Sequence, residues 1–175
     1  EMASHPKVVA WGEVGLDYHY TLSPRETQLE ILERQIHLAK DLNLPLIFHL
    51  REAEEDFFSL IVRTGLPEAG GILHCFTGSL TTMEKGLDLG LMISFSGIAT
   101  FRKSKEEFAS LIQRVPWDRI LAETDAPYLA PQSRRGKRCE PPMVAETVAR
   151  IAEIKGETTE KTAENIKNNA LKLFA

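Results

Sequence analysis

Five times along the chain a short apolar run stops at a polar residue and gives way to a helical pattern. Few folds accept that rhythm. The runs are Val8-Val9-Ala10-Trp11-Gly12 into Glu13, Pro45-Leu46-Ile47-Phe48 into His49, and Gly71-Ile72-Leu73 into His74. Leu91-Met92-Ile93-Ser94-Phe95 into Ser96 and Arg119-Ile120-Leu121-Ala122 into Glu123 and Asp125 complete the set. Each has the length of a buried strand.

The intervening segments carry helix signals. Ser23-Pro24-Arg25-Glu26 reads as a capping box with Pro at the first helical position. Leu29, Leu32, Ile36, Ala39 and Leu42 then line one face, and Asn43 to Pro45 end the helix. Further helices are expected over Ala53 to Thr64, from Ser79 to near Gly90, from Ser104 (a second capping box, with Glu107) to Arg114, over Pro142 to Lys155, and from Thr158 or Thr159 to Phe174. Gly15, Leu16, Asp17 and Tyr18 read as a loop. Alternating strands and helices require a parallel sheet, because parallel neighbours need crossover connections. The expected class is therefore α/β, a TIM-barrel-like arrangement of about five parallel strands. No linker or low-complexity stretch divides the chain, so 1–175 is expected to be a single domain.

Polar groups delivered by several strand ends are the layout of a barrel active site. Here they are Glu13, His49, His74, Ser94 with Ser96, and Asp125. Two imidazoles and two carboxylates without thiolate suit Zn, Mn, Fe or Mg. Each taken alone has another reading: a histidine hydrogen-bonded in a core, or an Asp capping the turn after its strand. Four such residues at four strand ends make a divalent-metal site the expectation, with Glu13, His49, His74 and Asp125 as ligands. An acidic residue that both touches the ion and accepts a proton from water serves as general base, and Asp125 fits that role. Strand alternation places Glu123 on the same face as Asp125, one pleat deeper.

Arg51, two residues beyond His49, faces an anionic substrate or pairs with Glu52 or Glu54. Cys75 should point away from His74 and pack. Arg134-Arg135-Gly136-Lys137-Arg138 puts four cations within five residues directly after the Asp125 run. That segment is either solvated surface or a phosphate-contacting loop, and Phe76, Phe101 and Tyr128 are candidates to stack bases beside it.

Composition narrows the remaining classes. A formal net charge of -4 argues against coating nucleic acid by bulk electrostatics while leaving room for a local basic patch. Two cysteines, Cys75 and Cys139, make no disulfide framework, which fits a reducing, cytoplasmic setting. No apolar run approaches the roughly 20 residues that span a bilayer.

The motifs Gly12-Glu13-Val14-Gly15-Leu16-Asp17-Tyr18, His49-Leu50-Arg51-Glu52-Ala53, His74-Cys75-Phe76-Thr77-Gly78, Glu123-Thr124-Asp125-Ala126-Pro127-Tyr128-Leu129 and Arg135-Gly136-Lys137-Arg138 resemble the TatD-type metal-dependent deoxyribonucleases in order and spacing. The closing Asn169-Ala170-Leu171-Lys172-Leu173-Phe174 resembles that family's end. The resemblance implies a metallo-dependent-hydrolase barrel, a divalent ion (Mg, Mn or Zn) and hydrolysis of DNA phosphodiester bonds, often from single-stranded 3′ ends. It implies Glu13 as the bridging ligand, His49 and His74 as ligands of one metal, Asp125 as ligand and base, and Arg135, Lys137 and Arg138 beside the substrate backbone.

Two departures qualify the match. The family's opening His-x-His, which serves the second metal, has no counterpart here, so of two ions in the complete site one loses its ligands. The chain thus resembles a member without its first three strands, expected to form an open half-barrel or to cover its exposed strand edge with a second copy. Cys139 also stands where the family usually has Asn, and a thiol hydrogen-bonds far more weakly. Besides a deoxyribonuclease, these features leave a hydrolase of another ester or amide, and a catalytically impaired chain that only binds metal or a partner.

Overall fold

The computed structural model describes residues 3, 5–20, 22–102 and 105–174. The chain forms two compact units. One comprises Glu1–His74, Thr81–Met92 and Leu173–Ala175; the other Cys75–Leu80 and Ile93–Lys172. The expected α/β alternation is present, with five strands and a helix after each.

In the first unit, β1 (Trp11–Asp17) leads to α1 (Arg25–Leu42), β2 (Leu46–Arg51) to α2 (Glu54–Thr64), and β3 (Gly71–Leu73) to α3 (Leu80–Asp88). β1 pairs in parallel with β2, and β2 with β3. Helix α1 buries Leu32, Ile36 and Ala39, the middle of the expected apolar face. Phe48 of β2 is fully buried and meets Phe57 of α2 edge-on at 5.0 Å between centroids. Asn43, left-handed at φ 48°, closes α1 as expected.

The start of α1 differs from the capping-box reading. Pro24 occupies the cap position and no side chain caps the helix. Gln28 instead donates its side-chain amide to the Ser23 carbonyl at 2.9 Å, tying the helix to the residue before Pro24. The second box rests on Ser104, which lies outside the described residues.

The larger difference lies in β1. Residues 15–17 continue the strand instead of forming a loop. The register explains why the pattern misleads: Gly12 pairs with Ile47 and Val14 with Phe48, leaving Glu13 as an extra residue. A bulge of this kind resets the two-residue alternation, so a pattern that stops at Gly12 resumes out of phase.

The second unit contains β4 (Met92–Phe95) from Ile93 onward, and Ile93, Ser94 and Phe95 pair in parallel with Ile120, Leu121 and Ala122 of β5 (Ile120–Ala122). Helices α4 (Lys105–Arg114), α5 (Val144–Lys155) and α6 (Thr159–Phe174) complete the elements. Two of them anchor the segment that enters β5. Lys155, at the end of α5, donates to the Val115 carbonyl at 2.7 Å. Asn169 of α6, only 6% exposed, donates to the Trp117 carbonyl at 2.8 Å and the Ile120 carbonyl at 2.9 Å. Asn169→Ala removes the side-chain donor of the Ile120 carbonyl, while Asn165 still donates to that of Trp117, and is expected to cost about 1–3 kcal/mol, read as a lower urea midpoint with an unchanged m-value.

Candidate metal centre

The bulge in β1 does local work: it turns Glu13 out of the strand's regular alternation toward the histidines of the next two strands. The Glu13 carboxylate meets Nδ1 of His49 at 3.0 Å and Nε2 of His74 at 2.8 Å through the same oxygen, Oε1. His49 lies within β2, where Gly15 is its register partner. A side chain at Gly15 would collide with the His49 carbonyl, so only glycine permits this approach of β1 to β2. His74 follows β3 directly, with its amide donating to the Phe48 carbonyl at 3.0 Å. The two rings lie 5.8 Å apart between centroids.

The donor set fits a divalent ion. One ligand atom from each of Glu13, His49 and His74 lies within 4.8 Å of the other two. Ligands held around a single ion at about 2.0–2.2 Å stand on the order of 3–3.5 Å apart, close to the spacings seen here. The nitrogen and oxygen donors suit Zn, Mn and Fe.

The cluster is electrostatically strained toward its charged forms. Hydrogen bonds from His49 and then His74 hold the Glu13 carboxyl far below the usual range, against a smaller opposing effect of burial. Glu13 in turn raises the His49 pKa, opposed by burial and assisted by Asp17.

Asp17 is the residue that sequence reasoning missed. Its Oδ2 meets His49 Nε2 at 2.9 Å, while Oδ1 accepts from the amides of His19 at 2.9 Å and Tyr20 at 3.0 Å. Partial burial pushes the Asp17 carboxyl up, but the Tyr20 amide and His49 outweigh it and hold it below its ordinary value. The available signal was Asp17 itself, a carboxylate two residues after Gly15; it counts only once β1 is known to continue through a bulge.

Asp125 belongs to the second unit. β5 ends at Ala122, so Asp125 is three residues past the strand, yet a carboxylate oxygen of Asp125 and one of Glu123 lie within 4.8 Å of each other. Its backbone is left-handed, φ 59°, a conformation uncommon outside Gly, Asn and Asp. Its carbonyl accepts from the Tyr128 amide at 2.8 Å. The Glu123 carboxylate accepts from the Cys75 amide at 3.1 Å, so it braces the turn after β3. Cys75 packs as expected, its thiol 3.2 Å from the Ser96 hydroxyl.

Arg51 resolves in favour of neither acidic neighbour. Its guanidinium lies 4.8 Å above the Tyr20 ring, and Glu52 is engaged by His19 at 2.7 Å. In the basic loop Arg134, Arg135, Lys137 and Arg138 are all exposed, with Gly136 at φ 82° making the turn. Arg135 stacks on Phe101 at 3.9 Å. Of the three aromatic candidates, Phe76 is buried and packs edge-on against Phe95, Phe101 sits under Arg135, and Tyr128 is 71% exposed. Cys139 is buried, its thiol 3.7 Å from the Thr124 carbonyl. It therefore faces the protein, joining the end of the loop to the Asp125 segment.

Neighbouring parallel strands that deliver a carboxylate and two imidazoles to one point form the architecture of a metal-dependent hydrolase. A family model described as "TatD related DNase" matches residues 1–175, and the chain belongs to that family. It is 43% identical over 174 residues to the "Uncharacterized metal-dependent hydrolase YabD" of Bacillus subtilis, covering 99% of this chain and 68% of that protein. It is 38% identical over 178 residues to the "3'-5' ssDNA/RNA exonuclease TatD" of Pantoea vagans, covering 99% and 68% respectively. Among solved structures, YJJV, a TatD homologue of Escherichia coli, matches with a TM-score of 0.85 at 32% identity, over 97% of this chain and 64% of that one. The chain thus spans about two thirds of the length of these relatives. Among the described residues no helix is long and apolar enough to cross a membrane.

The Glu13–His49 pair makes the metal-free protein pH-sensitive in two directions. Glu13 titrates lower when folded, so its contribution is present above its ordinary 4.5 and is lost as pH falls through the folded value. His49 titrates higher when folded, so its contribution is present below its ordinary 6.5 and is lost as pH rises through the folded value. In urea titrations with chelator, the wild-type advantage over Glu13→Gln is expected to peak between pH 4.5 and 6.5. For a half-exposed pair its size is about 1 kcal/mol or less.

Proposed function

We propose that the chain hydrolyses phosphodiester bonds of single-stranded DNA from the 3′ end, using a divalent ion held by Glu13, His49 and His74. The observation that carries this reading is the convergence of His49 Nδ1 and His74 Nε2 on one oxygen of Glu13. When bound, such an ion supplies Lewis-acid polarisation and makes water easier to deprotonate. Asp125 would accept the proton of the attacking water at a carboxylate oxygen and would serve as a further ligand of the ion. The left-handed turn at Asp125 and the Cys139–Thr124 contact fix the backbone that carries this group.

The choice of a phosphoester over an amide rests on charge. Lys137 and Arg138 are exposed and, among the described residues, are in no ion pair, so they are open to a polyanionic backbone. Arg51, held over Tyr20 and likewise without an ion pair among the described residues, offers a further cation beside β2. The Arg135 guanidinium lies over the Phe101 ring, and its N–H groups are candidates to meet a phosphate. Tyr128 supplies an exposed ring on which a base can stack. The "3'-5' ssDNA/RNA exonuclease" name of the Pantoea vagans relative supports the same substrate class. With a protein of this composition and no disulfide, a cytoplasmic site of action is part of the proposal.

Single-stranded DNA labelled at its 5′ end is expected to shorten from the 3′ end in Mn²⁺ and to stay intact in chelator. Asp125→Asn should slow the reaction by about 10²–10⁴-fold. Replacing Lys137 and Arg138 by Ala should lower the salt slope of binding by about 1 per lost phosphate contact. Turnover of an amide or a phosphomonoester with DNA left intact would overturn the substrate assignment. Tight Mn²⁺ binding with no turnover of any of these would identify a metal-binding chain instead of an enzyme.

A further inference from the structure

We infer that Asp17 is a positioning residue that keeps the proton of His49 on Nε2 and thereby leaves Nδ1 as a lone pair aimed at the metal point, with Gln28 holding Asp17 in place. The inference rests on the reading of His49 as a ligand and deepens it. A neutral imidazole carries a single N–H, and it binds a cation only through the nitrogen that lacks it. Which nitrogen that is depends on the partner of the other one. His49 stands between two carboxylates, Glu13 at Nδ1 and Asp17 at Nε2. Glu13 is shared with His74 and belongs to the metal cluster. Asp17 is not part of that cluster and touches only the far side of the ring.

The carboxylate is itself held on all sides. Oδ1 is occupied by the amides of His19 and Tyr20, which leaves Oδ2 for His49. Gln28 of α1 grips the Asp17 backbone from both ends: its Oε1 accepts from the Asp17 amide at 2.9 Å, and its Nε2 donates to the Asp17 carbonyl at 3.0 Å. The second N–H of that amide goes to the Ser23 carbonyl, so Gln28 has no donor left to let the group turn. This is the pattern by which an outer carboxylate fixes the tautomer and orientation of a metal-ligating histidine. The alternative is that Asp17 merely caps the turn after β1.

Asp17→Asn separates the two. The Asn carbonyl oxygen would keep the two turn amides, which places its NH₂ against His49 Nε2. A donor there forces Nε2 to accept, and the proton moves to Nδ1. If Asp17 only capped the turn, Asn would behave as wild type. As a positioning residue, its replacement should weaken Mn²⁺ binding by about 10–100-fold in calorimetric titration of the full chain. In metal-free protein labelled with ¹⁵N-histidine, at a pH above the raised His49 pKa so that the ring carries a single proton, long-range ¹H–¹⁵N spectra should show that proton on Nε2 in wild type and on Nδ1 in Asp17→Asn. Gln28→Ala, which spares the carboxylate, should weaken Mn²⁺ binding by about tenfold, the low end of the same range, and serves if the Asn variant does not fold. His49→Ala followed by Asp17→Asn should produce no further loss, because the carboxylate acts only through the ring. Wild-type Mn²⁺ affinity and tautomer in Asp17→Asn would overturn this inference while leaving His49 as a ligand. Unchanged affinity in His49→Ala would overturn the metal reading and this inference with it.

Discussion

One carboxylate oxygen of Glu13 lies within hydrogen-bond distance of two imidazoles, and the geometry of the first unit serves that contact. It needs three adjacent parallel strands, because His49 and His74 come from β2 and from the end of β3. It also needs β1 to break its own alternation, since Glu13 is the unpaired residue of the bulge. A regular strand with the same sequence would put Glu13 and Val14 on exchanged faces, losing either the ligand or the buried Val14. Gly12 and Gly15 flank the bulge where β1 crosses closest to Ile47 and His49. The energetic cost of gathering these groups is a reason to expect a cation there. Without one, a half-exposed carboxylate and two rings must satisfy each other by hydrogen bonds that fix their protonation.

The second unit supplies a different kind of component. β5 is three residues long, and everything chemical follows it: Glu123 bracing Cys75, Asp125 in a left-handed turn, Tyr128 exposed, and a basic loop closed by Cys139. Its rigidity comes from outside the strand. Lys155 binds the Val115 carbonyl before it and Asn169 the carbonyls of Trp117 and of Ile120, its first residue, so two helices position the strand. The thiol of Cys139 points to the Thr124 carbonyl, which explains how a cysteine serves where a stronger hydrogen-bonding amide would be expected.

Much of this was legible in the sequence because it depends on short-range rules. Apolar runs ending in ligand-type residues identified the α/β class and picked out Glu13, His49 and His74. The C-terminal boundary of α1 followed from Asn43, and its buried face from the three- and four-residue spacing of Leu32, Ile36 and Ala39. What was not legible depends on register. Nothing in the string Gly12-Glu13-Val14 marks a bulge, and without it Asp17 falls in a loop and drops out of the site. Burial was the other gap. Phe76 and Phe101 have the composition of a stacking platform, but only the fold reveals that one is core and the other lies beneath Arg135.

The central claim, that Glu13, His49 and His74 hold one divalent ion, is tested most directly by anomalous diffraction. Crystals grown with Mn²⁺ and measured at two wavelengths around its absorption edge locate the ion independently of any activity. The account predicts a peak bonded to a Glu13 oxygen, His49 Nδ1 and His74 Nε2, with His49 Nε2 still against Asp17. A peak bonded through His49 Nε2, or an ion held elsewhere with these three side chains unchanged, would contradict it.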